Sequence, residues 1–287
     1  YRNCHPYAFG HNCSVDWVEE EENVRVWTTF FPRFNLYQMI ASAISGVDFA
    51  IENFTTPDSF KAHGLPALNS MVREYEGWIG TKRQEVEALR EDPYIKAAKS
   101  NLRNCEIALQ RLKAGVALLG TDKNAQDCFV RANQIMALQH EWKKTGRQFR
   151  WHPFQIAFFL LNLSGLFDET HPDRAIADLL WFPTGGGKTE AYLLISAFTL
   201  LWRRKRENNK GKWGGGTAII LRYTLRLLTQ QQLQRAARMI CAAEHLRRKY
   251  PESFGDAPIS LGFWVGADSF PNENKEWDQK RLEGKVF

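Results

Sequence analysis

The stretch WFPTGGGKTEAY, Trp181 to Tyr192, constrains the fold of this chain more than any other. An apolar run, Ala177 to Phe182, precedes it, and a long apolar segment rich in helix formers, Ala191 to Arg206, follows. That order predicts a strand, a glycine turn and a helix, the context in which such a turn holds phosphate. Gly185, Gly186 and Gly187 carry no Cβ to block an anion. They also permit the positive φ values that aim successive backbone N–H groups into one concavity. The following helix points its N-terminus, with free N–H groups and partial positive charge, at the same place.

Within this turn Lys188 is placed to reach the β- and γ-phosphates of a nucleotide as a point charge. The Thr189 hydroxyl is placed to take one coordination position on Mg²⁺. Thr184 and Glu190 flank these residues and join the expected nucleotide-binding set. A glycine turn that happens to end in Lys-Thr is the bland alternative, and it leaves the flanking strand and helix patterns unexplained. The general P-loop pattern, G-x-x-x-x-G-K-[ST], asks for glycine at Phe182. The helicase version, A-x-T-G-x-G-K-T, does not, and Thr184 to Thr189 resembles it.

Polyanion binding fits the charge distribution. The chain of 287 residues carries a formal net charge of +6 and has a pI of about 9.0. Residues 1–150 contribute 19 Lys and Arg against 18 Asp and Glu, whereas 151–287 contribute 19 against 14. The basic excess therefore travels with the glycine turn, which suits a nucleic-acid partner. With 44% hydrophobic residues the chain has material for a sizeable core. Five cysteines at no repeating spacing argue for a reducing compartment over a disulfide framework, and neither a secretory signal nor a membrane span is visible. A cytoplasmic location is expected.

Three regions are expected: a mixed N-terminal segment over 1–57, a helical insert or bundle over 58–146, and a nucleotide-binding domain from 147 to 287. In the first, Val24 to Phe31 alternates β-branched and aromatic residues and predicts a strand stopped by Pro32, and Leu36 to Ile51 predicts a short helix. Cys4, His5, His11 and Cys13 match no established zinc spacing, and Glu19 to Glu22 reads as a solvated acidic loop. In the second, Leu68, Val72, Tyr75, Ile79, Val86 and Leu89 share one helical face. Leu102, Leu109, Leu112, Val116 and Leu119 mark a second helix ending at Gly120, and Phe129, Ala132, Met136 and Trp142 a third. Short connections predict a three-helix packing, with a protruding, partner-docking arm as the functional alternative.

In the third region Pro153 begins an amphipathic helix, and Gln155 precedes Lys188 by 33 residues. An amide at that place can read an adenine edge bidentately. The cluster Arg203 to Arg206 complements a helix C-terminus, with nucleic-acid backbone contact as the alternative. Thr217 to Leu221 predicts a strand followed by a long helix from about Leu225, a second β-α unit. Residues at such a junction share the sheet edge with the phosphate turn. Arg222, Thr224, Arg226 and Gln230 are therefore candidate contacts to a DNA backbone. Ile259 to Val265 predicts a third strand, and Asn274 to Leu282 a short helix.

Residues 151–266 resemble the first RecA-like domain of superfamily 2 helicases: PTGGGKTE is similar to their motif I, HPFQIAF to their upstream glutamine element, and RYTLRLLTQQ to motif Ia, with Tyr223 in place of proline. Together with FPRFN, Phe31 to Asn35, the set resembles the large helicase-like subunits of the DISARM anti-phage defence system. The resemblance implies an α/β fold with a RecA-like parallel sheet preceded by a helical domain, ATP and Mg²⁺ as cofactors, DNA as substrate, and a bacterial complex containing a DrmB-like partner subunit and a DNA methyltransferase. No Asp-Glu pair follows an apolar run after Thr189, so a Walker B element is not found in 190–287. The expectation is a first RecA-like domain, incomplete, that binds ATP without turning it over by itself. Two functions stay open: an ATP-dependent DNA helicase or translocase, and a nucleotide-gated DNA-binding scaffold. A P-loop kinase or transporter ATPase lacks the RYTLRLLTQQ element.

Overall fold

Asp122 alone separates two long helices, and its carboxylate accepts hydrogen bonds from the backbone N–H groups of Asn124 (2.8 Å) and Ala125 (2.9 Å), capping the second. In the computed structural model these helices are α2 (Ile95–Thr121) and α3 (Lys123–Glu141). The structure describes residues 13–21, 23–29, 44–89, 94–144, 146–182, 185–209, 211, 214–222 and 226–263. Before α2 comes α1 (Leu65–Ala88), entered through a 3₁₀ turn at Ile51–Phe54 and a π turn at Phe60–Gly64. After α3 come α4 (Pro153–Phe167), α5 (Lys188–Asn209) and α6 (Arg226–Lys249). Among the described residues no helix is long and apolar enough to cross a membrane.

The N-terminal unit is described by itself. Its β1 (Ser14–Glu19) pairs antiparallel with β2 (Val24–Thr29), in register from Ser14 opposite Thr29 to Glu19 opposite Val24. Reciprocal backbone bonds between Glu20 and Asn23 close the turn; of the acidic run expected to be solvated, Glu19 ends β1, and Glu20 and Glu21 stand exposed at the hairpin tip. The strand expected from Val24 is present as β2. The helix expected over Leu36–Ile51 is absent from 44–50: Gly46 adopts φ +72°, and Asp48 binds the N–H of Ala50 at 2.9 Å. A short polar side chain that captures its own backbone competes with helix formation. Positions 36–43 lie outside the described residues.

Residues from 41 onward form the second unit, whose core runs from Phe49 to Ile259. A series of aromatic contacts threads it. Phe60 meets Phe129 of α3 at 5.5 Å, Phe129 meets Phe159 of α4 at 4.9 Å, and Phe159 meets Phe198 of α5 at 5.3 Å. Helices on both sides of position 146 thus share one apolar interior, and each buried aromatic contributes on the order of 2–3 kcal/mol. The stripe expected in α1 is observed, with Leu68, Val72 and Ile79 buried. The face expected in α2 buries Leu109, Leu112, Val116 and Leu119. Gly120 does not end that helix, which runs through Thr121. At Gly115 a Cβ would lie 2.7 Å from the Leu160 carbonyl oxygen, so glycine is what lets α2 cross α4 this closely.

Two contacts set the start of α4. The Trp151 indole donates to Asn133 Oδ1 in α3 at 2.8 Å, both residues being buried. On the backbone, Trp151 N–H donates to the Phe49 carbonyl and Ile51 N–H to the Phe149 carbonyl. Pro153 then occupies the first turn, where a missing N–H costs nothing.

The parallel sheet expected for 147–287 is not formed among the described residues. Positions 177–182, 217–221 and 259–263 carry no strand pairing, and Leu179 and Ile220 are 89% and 84% exposed. At the entries to the second and third of these segments, side chains bind the backbone. Arg203 donates to the carbonyls of Gly215 and Thr217 (both 2.7 Å), and Arg204 to those of Ala257 and Pro258 (both 2.8 Å). Glu244 accepts from the N–H of Ile259 at 2.9 Å. Among the described residues the architecture is mostly helical, with the two-stranded antiparallel hairpin as the sheet.

Candidate functional site

The glycine turn and the first turn of α5 form the candidate site. Gly185 and Gly187 adopt φ +84° and +89°, the left-handed region anticipated for a turn that gathers N–H groups, and Lys188 is the first residue of α5. The first N–H groups of a helix have no intrahelical partner, so this end is suited to an anion. Pro183 and Thr184 lie outside the described residues. A Cβ on Gly185 would meet nothing within 4 Å, so the turn opens outward there.

Gln155 is placed differently from the expectation. It is buried, and its amide is engaged at both ends: Nε2 donates to the Gly187 carbonyl at 2.7 Å, while Oε1 accepts from the His152 N–H at 2.8 Å. The amide thus ties the start of α4 to the turn, with one donor and one acceptor position engaged in doing so. Beside it, Phe182 stacks on Phe154 with ring centroids 4.1 Å apart and planes 15° apart. That stack gives a reason for an aromatic at the position where the general P-loop has glycine. The Lys188 ammonium donates to the Phe182 carbonyl, so the cation reaches back over the turn toward its entry.

Farther back, Arg111 of α2 anchors the segment that leads into the turn. Its guanidinium meets Asp178 through two nitrogens (2.7 and 2.6 Å), Asp173 at 2.9 Å and the Leu161 carbonyl at 2.8 Å. The bond to Asp178, the largest influence, holds its pKa above the ordinary arginine value despite burial. Sequence reading did not single out Arg111, because its partners lie 50 to 67 residues away. Nor did it find Lys143 and Arg235, which the fold brings to Glu190. Arg235 of α6 pairs with Glu190 Oε1, and the Lys143 ammonium lies 3.9 Å from the same oxygen.

The basic cluster at the end of α5 is paired within the protein, with Arg204 buried. Besides the carbonyls held by Arg203 and Arg204, Lys205 pairs with Asp127 at 2.6 Å, and Arg206 with Glu169 at 2.8 Å and Glu207 at 3.1 Å. These four cations fasten α5 to its surroundings, in keeping with a helix-stabilising role for the cluster. Of the other DNA-contact candidates, Arg222 is exposed, Thr224 lies outside the described residues, and Arg226 and Gln230 fall at the start of α6, where only the backbone is described. Cys13 is exposed, while Cys4, His5 and His11 fall outside the described residues.

No family model matches the chain. Against known proteins, it is 36% identical over 301 aligned residues to the DISARM protein DrmA of Bacillus paralicheniformis. This chain is similar to DrmA. The alignment takes in 95% of the chain and 26% of that relative, so the chain spans about a quarter of the DrmA length. At that coverage the likeness to DrmA extends well beyond the glycine turn, to the helices on either side of it.

Proposed function

We propose that this chain is the ATP-binding portion of an ATP-dependent DNA helicase or translocase subunit in a DISARM-type bacterial anti-phage defence complex. The observation that carries the reading is the junction at 185–189, where a turn with two glycines at positive φ feeds directly into the N-terminus of a helix that begins Lys-Thr. The residues fit a triphosphate with Mg²⁺: the turn is open at Gly185, and a lysine and a hydroxyl stand first and second in the helix. When bound, Mg²⁺ would supply charge neutralisation across the β- and γ-phosphates. Gly185, Gly186 and Gly187 give backbone donors, and Lys188 exchanges the Phe182 carbonyl for phosphate. Thr189 holds the metal side of the nucleotide, and Gln155 keeps the turn in register.

The apolar segments 177–182 and 217–222, each preceding a long helix in the sequence, have the order of β-α units. This supports a RecA-like parallel sheet in the whole protein as part of the proposal. Arg222, Thr224, Arg226 and Gln230 are proposed to meet the DNA backbone, and a DrmB-like subunit and a methyltransferase are the proposed partners.

ATP hydrolysis by the full-length protein carrying this chain tests the reading. The motor predicts hydrolysis that rises with added DNA and is lost in Lys188→Ala. Hydrolysis indifferent to DNA selects the nucleotide-gated scaffold, and activity unchanged in Lys188→Ala removes the phosphate turn from the chemistry.

A further inference from the structure

A carboxylate borders the turn proposed to take phosphate. Glu190 Oε2 sits 3.8 Å from the point where a Cβ on Gly187 would be, and Oε1 is held by Arg235 of α6 with the Lys143 ammonium 3.9 Å away. A negative charge so near the turn opposes an arriving phosphate. Arg235 and Lys143 offset it, and Arg238, one turn along α6 from Arg235, adds a positive charge felt by Lys143. Two cations, Arg235 of α6 and Lys143 just beyond α3, thus meet one carboxylate oxygen, one more positive charge than Glu190 alone requires. Guanidinium groups pair with phosphate through the same fork that they offer a carboxylate, and a terminal phosphate brings more charge and more acceptor oxygens.

We infer that Glu190 is a stand-in for phosphate: it parks Arg235 beside the turn and yields it to the terminal phosphate of an arriving nucleoside triphosphate, coupling α6 to occupancy of the turn. This rests on the nucleotide reading above. Arg235 thereby becomes a residue that distinguishes triphosphate from diphosphate, and Glu190 the group that tunes the affinity.

Calorimetric titration of the chain with Mg²⁺ and ATP, ADP, inorganic tripolyphosphate or a single-stranded oligonucleotide tests it. Removing the competitor in Glu190→Gln is expected to tighten ATP and tripolyphosphate about tenfold, and removing one charge-assisted contact in Arg235→Ala to weaken both by about tenfold while leaving ADP within about twofold. Arg235→Lys keeps the charge without the fork and is expected to fall between; it decides the question if thermal melting shows Arg235→Ala unfolded. ATP binding that is lost in Lys188→Ala but indifferent to Glu190→Gln and to both Arg235 variants overturns the inference and leaves the nucleotide reading standing. No ATP binding by the unaltered chain overturns both. Weakened oligonucleotide binding in Arg235→Ala with ATP unchanged assigns the cluster to a nucleic-acid phosphate and also overturns the inference.

Discussion

The side-chain amide of Gln155 donates to the backbone carbonyl of Gly187 across 2.7 Å, joining the N-terminus of α4 to the last glycine of the turn before Lys188. The same amide accepts from the His152 N–H, so one side chain fixes both the helix start and the turn. On the proposed nucleotide reading, this arrangement has Gln155 act on the ligand through the turn.

Gln155→Leu therefore strands two backbone groups, at a cost of about 1–3 kcal/mol. A lower melting temperature is expected, together with equal weakening of ATP, GTP and tripolyphosphate binding. A glutamine that reads the base would instead affect ATP alone, so the ratio of ATP to GTP affinity across the substitution is the deciding quantity.

Gly187 and Gly185 share a positive φ but differ in their surroundings. A Cβ at Gly187 would lie 2.7 Å from Gln155 Nε2, whereas one at Gly185 meets nothing. Gly185→Ala carries only the backbone penalty of about 1 kcal/mol, and Gly187→Ala adds the displacement of Gln155. Denaturant titration is expected to rank Gly187→Ala as the more destabilised, with the greater loss of polyphosphate affinity.

Arg111 is expected to behave as a structural hub. Its truncation leaves Asp173 and Asp178 without their cation in a half-buried setting, and breaking such a network costs about 3–5 kcal/mol. Arg111→Lys preserves charge but not the fork that meets Asp178 through two nitrogens, so urea denaturation is expected to show it rescuing only part of the loss.

Glu244 makes the fold sensitive to acid. Arg247, bonded at 2.7 Å to each carboxylate oxygen, is the main reason that its pKa lies at about 2, with the Ile259 N–H and Arg248 adding to the effect. A carboxyl whose pKa is depressed on folding stabilises the protein above its unfolded value and loses that contribution as pH falls through the folded value. The window is from about pH 4.5 down to about 2, and the stake is on the order of 2–3 kcal/mol. Urea midpoints measured across that window are expected to drop in the unaltered chain, and Glu244→Gln is expected to start lower and vary less.

The sequence by itself determined the elements that satisfy themselves locally. The apolar stripes of α1 and α2, the Pro153 start of α4 and the glycine turn before Lys188 were all legible, because a helix closes its hydrogen bonds within four residues and a glycine's φ range is its own property. Tertiary structure decided what needs a distant partner. A strand exists only when another strand takes its N–H and C=O groups, and among the described residues none does so for 177–182, 217–221 or 259–263; at the first residues of the latter two, Arg203 binds the Thr217 carbonyl and Glu244 the Ile259 N–H. The same holds at the site. That Gln155 faces Gly187, that Arg111 holds Asp178, and that Glu190 meets Arg235 are contacts spanning 32, 67 and 45 residues. No local periodicity encodes such pairings; they arise only when packing of the shared core brings the helices together.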